Sequence, residues 1–218
     1  MEPLRAARPA NAASVSELQA RIQGMERSRW ETPGRPVPAG LAALLPSGTL
    51  RTGVVYAVDN STSLIMALLG AGSADGGWSA VVGLPDFGAE AATGFGIDLA
   101  RLVLVPSPGD QWLAVTAALV DVLPLVVVRP QRSVGDAEAS RLAARLRQTG
   151  CTLIVAGAWP HTEAALHITG TRWQGLGVGH GYLSGRELRV DVAGRNGSGR
   201  RRSAGLNLPA GLQLPAAG

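Results

Sequence analysis

The segment that decides the fold is residues 53–64, GVVYAVDNSTSL. Its first half, Gly53 to Val58, is a short continuous apolar run, typical of a strand that is buried on both faces. Its second half is polar and leads into a helical pattern over Ser63 to Leu69. The segment therefore predicts a strand, a loop and a helix in that order.

Outward from this segment, short apolar runs alternate with helical patterns, which is typical of a parallel sheet covered by helices on both faces. After Ala156 the runs become alternating or aromatic-bearing and are separated by glycines, which predicts an antiparallel C-terminal extension. The fold class is therefore α/β, with a mostly parallel sheet flanked by helices. We expect further strands at 79–83, 102–105, 125–128, 152–156, 165–171, 179–184 and 187–192, and further helices at 41–45, 89–95, 112–119 and 136–148.

Residues 1–37 are expected to form an N-terminal arm. After a flexible start, Ser14 to Glu17 matches a capping box, so a helix is predicted at about 14–27, followed by a proline-rich linker. The helix carries a narrow apolar stripe that docks either on its own domain or on another molecule, which includes a second copy of this chain. The candidate partner-binding residues in this stripe are Leu18, Ile22 and Met25.

The remaining chain divides into a core with its β extension, residues 38–193, and a loop-like tail, residues 194–218. The tail includes Leu206 to Leu214, a leucine-rich stretch for which packing on its own domain is preferred over partner binding. It also carries a basic loop, which either contacts nucleic-acid phosphates or is a solvated loop. The arginines of this loop are Arg195, Arg200, Arg201 and Arg202.

All twenty basic residues are arginine, and the net charge of +4 divides into −1 for residues 1–109 and +5 for residues 110–218. Either nucleic-acid binding by the second half or a compositional bias without function explains this excess, and the bias is preferred. We expect Trp159, Trp173 and Tyr182 to pack in the core or in a hairpin. With one cysteine, no leader-like segment and no long apolar run, the chain is expected to be cytoplasmic and to make no membrane contact.

The loop in the deciding segment aligns with a phosphate loop, G-x-x-x-x-G-K-[ST], but lacks its chemistry. Ala57 and Thr62 replace the two glycines. Ser63 stands at the lysine position, and Leu64 removes the hydroxyl that ligates magnesium. Asp59 adds a negative charge where phosphate would bind. The degenerate phosphate loop thus comprises Ala57, Asp59, Asn60, Ser61, Thr62, Ser63 and Leu64.

The second nucleotide-binding element has changed as well. The apolar strand at 125–128 ends in Arg129, where an acidic residue would hold the magnesium water shell. A guanidinium at this position repels a metal cation, and it either binds a free phosphate or, as we prefer, pairs with Asp59. The histidines and Cys151 show no metal-ligand spacing. We therefore predict a degenerate pseudo-ATPase with no catalytic residues, no cofactor and no metal site.

Two stretches resemble the RecA family. Residues 37–53, VPAGLAALLPSGTLRTG, look like the RecA lead-in to the phosphate loop, and residues 95–102, FGIDLARL, resemble the segment that enters its third strand. Together with the capped N-terminal helix, the short length and the GHGYL hairpin at 179–183, the chain is similar to ImuA-type proteins, particularly the shortened ImuA-prime form.

This resemblance implies an accessory role in DNA-damage-induced (SOS), error-prone translesion synthesis. Members of that family assist ImuB, an inactive Y-family polymerase relative, and an error-prone C-family polymerase subunit, so both are the implied partners. Any contact with DNA would be weak or indirect. Two other interpretations stay open: a divergent nucleotide hydrolase that uses Arg129 in place of lysine, and a DNA-binding module that acts through Arg195 to Arg202.

Overall fold

The computed structural model describes residues 34–74, 76–176, 181–194 and 201–208, with the side chains of 174–176 and 181–184 left out. The predicted N-terminal helix with Leu18, Ile22 and Met25 lies outside the described residues, as do Arg195 and Arg200. The elements in chain order are β1 (Gly34–Arg35), α1 (Ala39–Leu44), β2 (Leu50–Arg51), β3 (Val55–Val58), α2 (Thr62–Ser73), β4 (Ser79–Val82), α3 (Ala89–Thr93), β5 (Leu102–Val105), α4 (Trp112–Val120), β6 (Leu125–Val128), α5 (Asp136–Thr149), β7 (Thr152–Ala156), β8 (Ala164–Leu176), β9 (Gly181–Gly194) and β10 (Arg202–Leu208).

One sheet of eight strands organises the described residues, in the order β10-β9-β8-β3-β7-β6-β4-β5. The strands from β8 to β5 pair in parallel. The β8–β9 and β9–β10 pairs are antiparallel. This confirms the predicted α/β fold class with its C-terminal antiparallel extension. The short strands β1 and β2 form a separate antiparallel pair.

Apolar side chains cover both faces of the parallel strands. On one face, α1 and α2 pack with residues of β3, β8, β9 and β10, and on the other face α4 and α5 pack over β3, β4, β6 and β7. Every residue of α2 from Leu64 to Ser73 is buried. Fully burying one leucine side chain contributes about 1.5–3 kcal/mol to stability, so α2 is a main contributor to the core.

Gly70 shows how closely α2 is packed. A Cβ atom at this position would collide with the backbone carbonyl oxygen of Phe95, in the connection between α3 and β5. Close approach of two backbone segments is one of the reasons for which a glycine is required inside a helix. The helix therefore packs its backbone directly against a neighbouring segment.

The extension differs from its prediction in two ways. Residues 179 and 180 lie outside the described residues. The rest of the strand predicted at 179–184 and the strand predicted at 187–192 belong to one strand, β9, because Gly185 pairs with Gln174 inside the ladder and does not form a turn. The tail was predicted to be loop-like, yet residues 202–208 form β10. Leu206 and Leu208 are buried, which confirms that this part of the leucine-rich stretch packs on its own domain. No described helix is long and apolar enough to cross a bilayer.

Candidate functional site

The degenerate phosphate loop lies at the carboxyl end of β3, between β3 and the first turn of α2. This is the strand–loop–helix position at which phosphate loops occur. Ala57 and Val58 still belong to β3, where they pair with Val155 and Ala156 of β7. Only residues 59–61 therefore remain to connect strand and helix, and the first part of the window is straight strand, not a curled loop.

The helical part of the degenerate phosphate loop leads directly into the core. The Leu64 side chain, at the position of the magnesium-binding hydroxyl, is fully buried. Ser61 is the N-cap of α2, but its side chain does not cap the helix, and its Oγ lies 3.3 Å from the Oγ of Ser63. The window thus supplies packing to the core, and of its two serines Ser61 is buried and Ser63 is half-buried.

Asp59 joins the loop to the extension. Its Oδ2 accepts a hydrogen bond from the backbone N–H of Ile168 at 2.7 Å, and its Oδ1 lies 3.0 Å from Nδ1 of His167. Its own N–H donates to the Leu166 carbonyl. These bonds end the pairing between β3 and β8 immediately before the β-bulge between Ile168 and Gly170. The carboxylate therefore pairs with β8 at the point where β3 no longer does.

The predicted pair between Arg129 and Asp59 is wrong. Arg129 donates from its Nη2 to Oδ1 of Asn60 at 2.7 Å, while Asp59 is occupied by β8. The reason is that β3 ends at Val58, so the N–H of Ile168 on this side of β8 meets the Asp59 carboxylate instead of a further residue of β3. The guanidinium nevertheless reaches the loop, and its Nε is shielded from solvent without a hydrogen-bond partner.

Arg186 of β9 is a site residue that the sequence analysis missed. Its Nη1 donates to Oγ of Ser63 at 2.9 Å, which places a guanidinium beside the position where a phosphate loop has lysine. Its Nη2 lies 3.4 Å from Oγ1 of Thr171, and its Cζ lies 5.0 Å from the ring centroid of Trp173. Arg186 and Ser63 are 123 residues apart in the sequence, so no local sequence pattern predicted this contact.

The two tryptophans considered from the sequence behave differently. Trp159 is buried, which confirms that it packs in the core. Trp173 is 53% exposed and is therefore not a core residue. It lies opposite Arg186 in the β8–β9 ladder, with the guanidinium over one face of its ring, so of the two predicted alternatives it follows hairpin packing. The side chain of Tyr182 lies outside the described residues. An exposed tryptophan next to a guanidinium is therefore a feature of this edge of the sheet.

The predicted basic loop is described only at its end. Arg201 is exposed. Arg202 donates to the carbonyl oxygens of Leu45 at 2.6 Å and of Pro46 at 3.2 Å. Arg202 thus stabilises the segment that follows α1, and Arg201 keeps its head group in solvent.

Burial affects two titratable groups of the core, Tyr56 and Cys151. Desolvation raises the pKa of Tyr56 to about 12 and that of the Cys151 thiol to about 12. The Tyr56 hydroxyl accepts a hydrogen bond from the backbone N–H of Arg51 at 3.0 Å. Both groups stay protonated at neutral pH, so neither is a nucleophile. Within the part of the chain that the structure covers, no group of histidine, cysteine and acidic residues is arranged to bind a metal ion.

Comparison with known proteins gives three similarities. The family described as MT3502 N-terminal domain matches residues 43–161, more than half of the chain. The uncharacterized protein Rv3395c of Mycobacterium tuberculosis is 37% identical over 171 residues, which cover 74% of this chain and 81% of that protein. The crystal structure of the KaiC-like protein PH0186 from Pyrococcus horikoshii aligns with a TM-score of 0.48 at 14% identity, covering 81% of this chain and 100% of the other.

Proposed function

This chain belongs to the MT3502 N-terminal domain family, and we propose that it is a non-catalytic adaptor built on a RecA-like α/β module. In this proposal the former phosphate loop has become a structural joint. The observation that carries the proposal is that the loop's polar side chains already bind one another or their neighbours: Asp59 binds β8, Asn60 binds Arg129, and Ser63 binds Arg186.

The chemistry of the loop disfavours hydrolysis of a nucleoside triphosphate. Catalysis of phosphoryl transfer depends on positioning the phosphates and stabilising the charge that develops on their oxygens, with magnesium as a central element. Leu64 is buried in the core, and Arg129 places a positive charge where the metal shell would lie. Neither residue is able to support a magnesium ion.

We propose that the adaptor acts in DNA-damage-induced, mutagenic translesion synthesis. Support comes from the resemblance of residues 37–53 and 95–102 to RecA and ImuA-type proteins. The partners in this proposal are an ImuB-type inactive Y-family polymerase relative and an error-prone C-family polymerase subunit. The apolar stripe Leu18, Ile22 and Met25 is the proposed contact surface for a partner or a second copy.

A pull-down from cells with damaged DNA tests this role. We expect the tagged protein to retain the polymerase-like partner and the variant Leu18→Glu/Ile22→Glu to lose it, because two carboxylates would enter an apolar interface. The matched control is Gln19→Glu/Gln23→Glu, which adds the same charges at the same spacing outside the stripe. Failure of the unmodified protein to retain the partner would end the adaptor proposal.

A second candidate function is nucleotide binding without hydrolysis. It is favoured by one observation, that Arg129 and Arg186 both reach the loop and bring positive charge to a segment without lysine. Titration calorimetry with ATP, with and without magnesium, separates the candidates, since a purely structural loop produces no binding heat. Heat that disappears in Arg186→Gln would replace the structural-joint proposal with a nucleotide site.

A further inference from the structure

The edge of β8 beyond its bulge is open on one side. Strand β3 pairs with β8 only along Ala164 to Leu166, because β3 ends at Val58. From Thr169 onward β8 pairs with β9 alone among the described strands. Successive side chains of a strand point to opposite faces, so a ligand that crosses this open edge can contact residues from both faces.

On the face towards α2, Trp173 offers a fixed aromatic surface. Its ring is 53% exposed, and the guanidinium of Arg186 lies over it at 5.0 Å. Arg186 is itself held by Ser63 at 2.9 Å. A cation that is anchored against one side of the ring restricts the tryptophan's movement, which lowers the entropy lost when a second flat group stacks on it.

On the opposite face, the edge carries positive charge. Arg172 and Arg189 are exposed and line a surface groove with Thr169, Gly170, Thr171 and Glu187. Glu187 is the acid in this groove, and it lies 3.8 Å from Arg172. In the described part of the chain, no carboxylate forms an ion pair with Arg186 or Arg189. This face therefore has two arginines and one acid, and with Arg186 on the other face the surface around the open edge carries net positive charge, which favours an anionic ligand.

We propose that the surface around this open edge, with Arg172 and Trp173 of β8 and Arg186 and Arg189 of β9, binds single-stranded nucleic acid. The phosphates pair with the guanidinium groups, and one unpaired base stacks on Trp173. Single strands fit this surface better than duplexes, because a duplex hides the faces of its bases. The site is separate from the predicted basic loop: Arg202 pairs with Val192, six positions along β9 from Arg186, which corresponds to about 20 Å.

Binding of a 5′-labelled oligo(dT) to the full-length protein, followed by fluorescence anisotropy at low salt, tests the site. We expect Trp173→Ala to weaken binding about ten- to a hundredfold, the usual effect of losing one stacked base. The matched control is Trp78→Ala, which removes a tryptophan that is 50% exposed immediately before β4, four strands away from β8 in the sheet. Affinity in this control should match the unmodified protein.

The contribution of the arginines to binding is measured separately, from the salt dependence of the affinity. In Arg172→Gln/Arg189→Gln, the slope of log K against log salt concentration should fall by about 1.4, because each phosphate contact on a single strand contributes about 0.7. Thermal unfolding of each variant verifies that it is folded. Three results of the oligo(dT) measurements would overturn the proposal: no saturable binding, equal losses in Trp173→Ala and Trp78→Ala, or unchanged binding in Trp173→Ala with a loss in Arg201→Gln. Retention of a protein partner that depends on Trp173, without any oligo(dT) binding, would also overturn it.

Discussion

The two halves of the sheet differ in whether they expose polar side chains on one of their faces. In the parallel half, β3 to β7, helices cover both faces and apolar side chains fill the space between the layers. In the antiparallel extension, one face carries the buried residues Leu188, Val190 and Leu206, while Arg172 and Arg189 on the other face are exposed. The family match ends at residue 161, before β8, and therefore covers the parallel half. The loop between β3 and α2, where a phosphate loop would bind its ligand, thus lies in the half whose side chains pack in the core. The exposed polar surface lies in the antiparallel extension.

Three predictions test this comparison, and the largest change in stability is expected at Leu64. If this loop position belongs to the core, Leu64→Ala should lower the free energy of unfolding by about 2–5 kcal/mol, as for other buried leucines. Urea-induced unfolding measures the change. Val122→Ala, at a position that is 74% exposed, is the control and should change stability by less than about 0.5 kcal/mol. A loss below about 1 kcal/mol at Leu64 would show that the loop is not part of the core.

An intermediate change in stability is expected at Asp59, which links β3 of the parallel half to β8. In Asp59→Ala the N–H of Ile168 loses its acceptor, which should cost about 1–2 kcal/mol. The variant Asp59→Asn keeps an acceptor oxygen and should stay within about 0.5 kcal/mol of the unmodified protein. Urea unfolding of both variants provides the measurement. Equal losses in both would mean that the negative charge, not the hydrogen bond to Ile168, stabilises the joint.

The smallest effect on stability is expected from the exposed ion pair between Arg132 and Glu138, at the start of α5 in the parallel half. The hydrogen bond from Arg132 lowers the pKa of Glu138, in the first turn of α5, from 4.5 to about 2. A carboxylate with a lowered folded-state pKa stabilises the protein above pH 4.5, and this contribution is lost as the pH falls towards 2. The stability difference between the unmodified protein and Glu138→Gln should therefore be constant above pH 5 and shrink below it. Unfolding curves from pH 2.5 to 7 measure this; a constant difference over the whole range would contradict it.

Local patterns predicted most of the parallel half, because strands buried on both faces appear as continuous apolar runs. Leu125–Val128 and Thr152–Ala156 occur where they were expected. The tail was harder to predict. In β10 the inward residues Ala204, Leu206 and Leu208 alternate with polar residues and a glycine, so the strand resembles a loop until β9 provides its partner.

The candidate site divides in the same way. That the loop lacks lysine and that Arg129 stands at the metal position are properties of residue type, visible without a structure. The pairing of those residues was not visible: Arg129 binds Asn60 instead of Asp59, and Arg186 comes from a strand far along the chain. Which acceptor a guanidinium finds depends on distances between atoms that only the folded chain brings together.

By itself, then, the sequence determined the alternation of strands and helices and the loss of phosphate-loop chemistry, since apolar periodicity and side-chain functional groups are local properties. Only the tertiary structure decided that Leu64 is a core residue, that Asp59 binds the N–H of Ile168 in β8, and that Trp173 is exposed against Arg186. The physical reason is that burial and hydrogen-bond pairing depend on contacts across the sheet, and the order of its strands differs from their order along the chain.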